Sequence, residues 1–169
     1  TKSKTPAPVS AEQTVSEAFA TIMRHNFTYL MEWETAARTW EDIEGVHQFR
    51  VTIRRMRSAL SLFRTAIPKE ASKHWSDEMC WVAGELGMAR DLDVFIDEGL
   101  STAAARLPLD GADRLRELAE LRRARAYREQ VCPMLDSDRY RRFKEGFRDW
   151  YEHRRWETVE VKKQKHRGD

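Results

Sequence analysis

The stretch Val46-His47-Gln48-Phe49-Arg50-Val51-Thr52-Ile53-Arg54-Arg55-Met56-Arg57-Ser58-Ala59-Leu60-Ser61-Leu62-Phe63-Arg64-Thr65-Ala66-Ile67 decides how this 169-residue chain is read. Its apolar residues Val46, Phe49, Ile53, Met56, Leu60, Phe63 and Ile67 step by 3 and 4 without a break. That spacing predicts one helix from Val46 to about Ala66 with a heptad seam turned to a core. Pro68 stops it, since the residue before a proline avoids the α region. One residue beyond the seam run His47, Arg50, Arg54, Arg57, Ser61 and Arg64 with the same stepping. At about 100° per residue this second stripe flanks the seam, over roughly 25 Å at 1.5 Å per residue. Arg55 adds a further guanidinium nearby.

Helical periodicity extends outward in both directions. Residues 1–9, with Pro6 and Pro8, read as a flexible leader. Ser10 with Gln13 forms a capping-box pattern, and Val15, Phe19, Ile22, Leu30, Trp33, Ala37 and Trp40 recur at helical spacing to about Thr39. Beyond the central helix a third is expected over about 69–86, with Trp75, Met79, Val82 and Leu86 on one face and Gly84 and Gly87 weakening its end. Asp91 reads as the N-cap of a further stretch to about Ala105. Two more helices are expected over about 112–132 and 137–156, separated by Pro133 and a Leu-Asp-Ser turn. Residues 157–169 read as a basic, disordered tail. No segment alternates with period two over a strand's length. The expected fold class is therefore all-α, an antiparallel bundle of long helices without strands over residues 10–156.

Composition narrows the function. Hydrophobic residues make up 41% of the chain, with six Trp and seven Phe, which excludes a disordered polyelectrolyte. Charged residues reach 34% and no apolar run approaches the roughly 20 residues of a bilayer span, so a soluble, cytoplasmic domain off the membrane is expected. Cys80 and Cys132 make neither a disulfide framework nor a metal pair. The net charge of +2 hides blocks: residues 46–68 carry 5 basic and no acidic groups, residues 69–113 carry 4 and 10, and residues 114–155 carry 13 and 8. Like charges at i, i+3 and i+4 repel by a few tenths of a kcal/mol per pair. The arginine stripe therefore needs either acids from the segment of net −6 or an external polyanion. Arginine throughout suits planar, bidentate contacts with phosphate or carboxylate.

The stretch from Val46 to Arg57 resembles the signature of CHAD domains, the conserved-histidine α-helical domains. Leu86-Gly87-Met88-Ala89-Arg90-Asp91-Leu92-Asp93-Val94 is similar to their second signature, and the stretch from Leu135 to Phe143 to a weaker third block. The resemblance implies a CHAD-like helical fold that binds inorganic polyphosphate in a basic groove, often in company with a triphosphatase domain. His47, Arg50, Arg54, Arg55 and Arg57 are the matching motif positions. Members of the family are usually about twice as long and carry a second basic helix. The expectation is thus a truncated chain or a homodimer of two copies that completes the groove, with polyphosphate granules as one location.

Arg64 continues the stripe, Arg90 is expected to point into the anion site, and Arg125 and Arg142 are added to the groove from the later helices. Asp91 and Asp93 stand two apart and share no helix face, so a cap and an arginine-orienting role fit better than paired catalytic or metal-binding carboxylates. His47, within an arginine row, reads as a phosphate donor whose charge grows below about pH 6.5. No HExxH, zinc spacing, glycine-rich phosphate loop or Ser/His/Asp set is visible. The expected activity is non-catalytic polyphosphate binding, with no cofactor and no metal. The alternative is a nucleic-acid-binding module that uses the same basic surface, although the Trp and Phe positions follow core periodicity instead of forming a stacking face.

Overall fold

Thr14 opens the first helix: its hydroxyl accepts from Glu17 N at 3.1 Å while the Glu17 carboxylate accepts from Thr14 N at 3.2 Å. The computed structural model describes residues 5–157, Leu109 by its backbone alone. Ser10 and Gln13 do pair, Ser10 N donating to the Gln13 side chain at 3.1 Å, but they close only a turn. The helix starts four residues later than the sequence suggests because the second box places a carboxylate, not a neutral amide, on the positive end of the helix.

The helices are α1 (Val15–Thr39), α2 (Glu44–Leu62), α3 (Lys69–Val94), α4 (Leu100–Ala104), α5 (Leu109–Ala126), α6 (Cys132–Asp136) and α7 (Asp138–Glu152). No strand occurs among the described residues, and none of their helices is long and apolar enough to cross a membrane. Two expected breaks are absent. Asp91 caps nothing and lies inside α3, which passes through Gly84 and Gly87 into a π-helical turn, Phe95–Gly99, and on to α4. Pro133 likewise interrupts nothing, because a second π turn, Tyr127–Val131, precedes it. Cys132 N bonds back to Tyr127 O across the wider ring, and the proline falls in the first turn of α6, where its missing N–H costs little. The Ser137 turn is as expected: its hydroxyl accepts from Tyr140 N at 3.1 Å and caps α7.

The α2 seam enters the core, with Val46, Phe49, Ile53, Met56 and Leu60 all buried; α2 ends at Leu62, four residues short of the expected Ala66, and Ile67 is buried from the turn that follows. On α1 the buried stripe is Phe19, Met23, Phe27, Leu30 and Ala37, whereas Val15 is 57% exposed. Aromatic rings join α1 to α7, with Phe27 5.8 Å from Phe147 and Phe19 6.0 Å from Trp150, centroid to centroid. All six tryptophans are buried or half-buried. The turn between α1 and α2 is tight. Trp40 takes a left-handed φ of 45° and stacks on Tyr127 at 4.8 Å. A Cβ on Gly45 would lie 2.4 Å from the Ala36 carbonyl carbon. Only glycine lets the start of α2 lie this close to α1, and that approach sets the position of His47, two residues on.

Residues 5–9 of the leader run without regular structure, and the Thr5 carbonyl accepts a hydrogen bond from His25 Nε2 at 2.6 Å. The rest of the leader and the basic tail fall on residues 1–4 and 158–169, outside the described residues.

Candidate anion-binding groove

α2 and α3 are antiparallel neighbours joined by residues 63–68, and the seam of α2 faces inward. The stripe one residue on is therefore left at the mouth of the furrow between them. A cavity of about 310 Å³ opens there, lined by His47, Arg50, Val51, Ile53, Arg54 and Arg57 of α2 and Ala83 and Arg90 of α3. A second cavity of about 300 Å³ continues it toward the turn. Its lining is Arg57, Leu60 and Ser61 from α2, Arg64 from the turn that follows, and Lys69, Ser72, Lys73, Ser76 and Asp77 from α3. Arg57 belongs to both, so the two form one furrow.

The furrow gathers five arginines and a single acid, Asp77. Several arginines elsewhere meet acids: Arg38 meets Asp136 at 2.7 Å, Arg139 meets Glu78 at 2.8 Å and Arg155 meets Asp149 at 2.9 Å. Among the described residues, none of Arg50, Arg54, Arg57, Arg64 and Arg90 makes such an ion pair. Arg50 Nε is buried and has no hydrogen-bond partner among the described residues. A buried donor left in that state costs about 1–3 kcal/mol, which an anion's oxygen would recover. Arg64 reaches only the Ser61 hydroxyl, at 3.5 Å.

Two acids of the segment of net −6, Glu78 and Asp93, are engaged elsewhere. Glu78 accepts both Arg139 bonds, and these hold its carboxyl below the usual range. Asp93 is fully buried, accepts from the Tyr127 hydroxyl at 2.6 Å and lies 3.8 Å from Arg123 Nη1. Burial pushes the Asp93 carboxyl up, against the Tyr127 bond and the charges of Arg123 and Arg90. The arginine that Asp93 meets is thus Arg123, not a member of the stripe. Asp77 is the one acid lining either cavity, and it accepts from Lys73 Nζ at 2.6 Å. That bond, with smaller help from His74 and Arg57, holds its carboxyl low.

The structure brings together His47, Arg50, Arg54, Arg57 and Arg90 in the first cavity and adds Arg64 in the second. Three sequence candidates lie elsewhere. Arg55 is a further 100° around α2, on the edge facing α1, and lines a separate pocket with Thr5, His25 and Tyr29. Arg125 lines a depression with Met88 and Leu92 and is held by Glu129 at 2.9 Å. Arg142 is exposed on α7, near enough to Glu78 to help depress its carboxyl, and lines neither cavity. Lys69, Lys73, Ser72 and Ser76 were not singled out from sequence. Their i, i+4 spacing carries a signal only once α3 is folded back on α2 about the 63–68 turn.

The family model of the CHAD domain matches residues 21–167. The crystal structure of the CHAD domain from the plant Ricinus communis aligns with a TM-score of 0.71 and 33% sequence identity, covering 85% of this chain and 47% of that one. The chain thus spans about half the length of that solved structure. No curated protein matches it. The family match covers most of the length and takes in both signature stretches, on α2 and α3; the chain belongs to the CHAD domain family.

Proposed function

We propose that this chain binds inorganic polyphosphate along the α2–α3 furrow and catalyses no reaction on it. The observation that carries the reading is the unpaired state of the furrow's arginines, with Arg50 Nε buried and partnerless. Guanidiniums that span about 10 Å of α2 from Arg50 to Arg57, at 1.5 Å per residue, with Arg64 continuing them past the helix end, suit a linear anion whose charges repeat along its length. Binding is by neutralisation: successive phosphates displace counterions and take bidentate hydrogen bonds from Arg50, Arg54, Arg57 and Arg90. By analogy with single-stranded nucleic acid, log K falls against log salt with a slope of about −0.7 per phosphate neutralised. Pairing of two copies to extend the furrow belongs to the same proposal.

Nucleic acid would use the same charges but gains much of its single-strand affinity by stacking bases on aromatic rings. Every tryptophan here is buried or half-buried, which favours the inorganic polymer. Competition tests the choice. Excess single-stranded RNA at equal phosphate should leave bound polyphosphate in place, and ready displacement would overturn the reading. Phosphate release from polyphosphate in the presence of Mg²⁺ or Mn²⁺ would overturn its non-catalytic part.

A further inference from the structure

The furrow is not uniform along its length, and the difference bears on which anions it takes. In the compartment around Arg50 and Arg54 the charged lining is four arginines, with His47 beside them and no acid. The compartment toward the turn adds Arg64, Lys69 and Lys73 to the shared Arg57, but it also holds Asp77. Lys73 and Asp77 are bound to each other at 2.6 Å with both side chains mostly exposed, so Lys73 is engaged before any ligand arrives. Resting on the polyphosphate reading above, we propose that this second compartment reads chain length. Lys69 and Lys73 hold the part of the polymer that extends past Arg57, and Asp77 is the acidic guard that a short anion does not displace.

The logic follows from where each compartment's donors stand. A short oligophosphate finds its best partners in the first compartment, where the arginines are unpaired and Arg50 Nε is buried without a partner. It has no reason to cross Arg57 and meet a carboxylate. A longer chain anchored in the first compartment delivers its next phosphates to the second at high effective concentration. The exposed Lys73–Asp77 pair is then opened at small cost, since such pairs contribute little to stability. Ser61, Ser72 and Ser76 line the same wall, and their hydroxyls can donate to phosphate oxygens. The length effect thus arises from three α3 residues, Lys69, Lys73 and Asp77, that lie outside the arginine stripe.

The test is calorimetric titration of the full chain and two variants with tripolyphosphate and with long-chain polyphosphate at fixed salt. Asp77→Asn should bind the long polymer about 1.5- to fivefold more tightly, the range set by an exposed ion pair, and tripolyphosphate unchanged. The double variant Lys69→Gln/Lys73→Gln should weaken long-chain binding, lower its log–log salt slope by about 1.4, and leave tripolyphosphate unchanged. Equal changes for both lengths would mean that the three residues act only through the overall field, which overturns the length-reading role. No change with either ligand overturns it as well. If the unmodified chain binds neither ligand, the polyphosphate reading fails and this inference with it. If the chain binds both and only the variants behave otherwise, the inference alone is lost.

Discussion

Replacing Arg54 by glutamine should make this protein more stable while weakening its hold on polyphosphate. Arg54 is exposed, lines the first cavity and makes no ion pair among the described residues. It stands four residues after Arg50 and three before Arg57 on one helix face, so it takes part in two like-charge contacts of about 0.2–0.5 kcal/mol each. Glutamine keeps much of the aliphatic stem and has nearly the same helix propensity. The variant should therefore gain about 0.4–1 kcal/mol at low ionic strength, a rise in Tm of roughly 1–4 °C for a domain of this size. The gain should shrink in 0.5 M salt, where exposed charges are screened. Thermal unfolding followed by circular dichroism at two salt concentrations measures it, and titration of the same samples with polyphosphate should show weaker binding with a salt slope lower by about 0.7. A loss of about 1 kcal/mol or more instead of a gain would refute the reasoning. It would mean that Arg54 is held by an internal partner and that the furrow is a structural ion-pair network.

Two further perturbations probe the frame around the furrow. Gly45→Ala places a methyl 2.4 Å from the Ala36 backbone, where no flexible side chain can yield, and should cost about 1–3 kcal/mol in urea unfolding; an unchanged midpoint would show that the α1–α2 turn is looser than described. Asp93→Asn tests the buried carboxyl through pH. Because burial raises the folded-state value above the ordinary 3.8, the native chain holds that proton longer than the unfolded chain does, and stability falls as pH rises from about 3.8 toward the raised value. The asparagine variant lacks this loss, so its stability relative to the unmodified chain should improve between pH 3 and pH 7. A pH-independent difference between the two would contradict the buried, proton-retaining carboxyl.

The sequence was most legible on α2, where a 3-4 stepping of large apolar residues has only one helical solution and fixes the arginine stripe beside it. The all-α class and the buried aromatics followed from the same periodicity. Helix boundaries were harder to read. Asp91 reads as a helix start and Pro133 as a break, yet α3 runs through Asp91 into a π turn at Phe95–Gly99 and a second at Tyr127–Val131 carries the chain past Pro133, and nothing in the residue types announces a π turn. The Arg55 side was lost for a different reason. A motif groups neighbours in sequence, whereas one step of 100° sends Arg55 to the α1 edge and Arg54 to the furrow. Arg125 and Arg142 depended on the relative placement of distant helices, which local spacing does not encode. Lys69 and Lys73 were hidden by the acidic excess of their own segment, of which Glu78 turns to Arg139 and Asp93 to Tyr127 and Arg123.

The central claim is that an unpaired arginine furrow on α2 and α3 is a site for a linear phosphate polymer. Its most direct test is calorimetric titration of this chain with long-chain polyphosphate and with an equal charge of single-stranded RNA at two salt concentrations. The account predicts tight binding to polyphosphate that weakens with salt, and much weaker binding to RNA. Equal affinity for both polymers, or binding to neither, would contradict it.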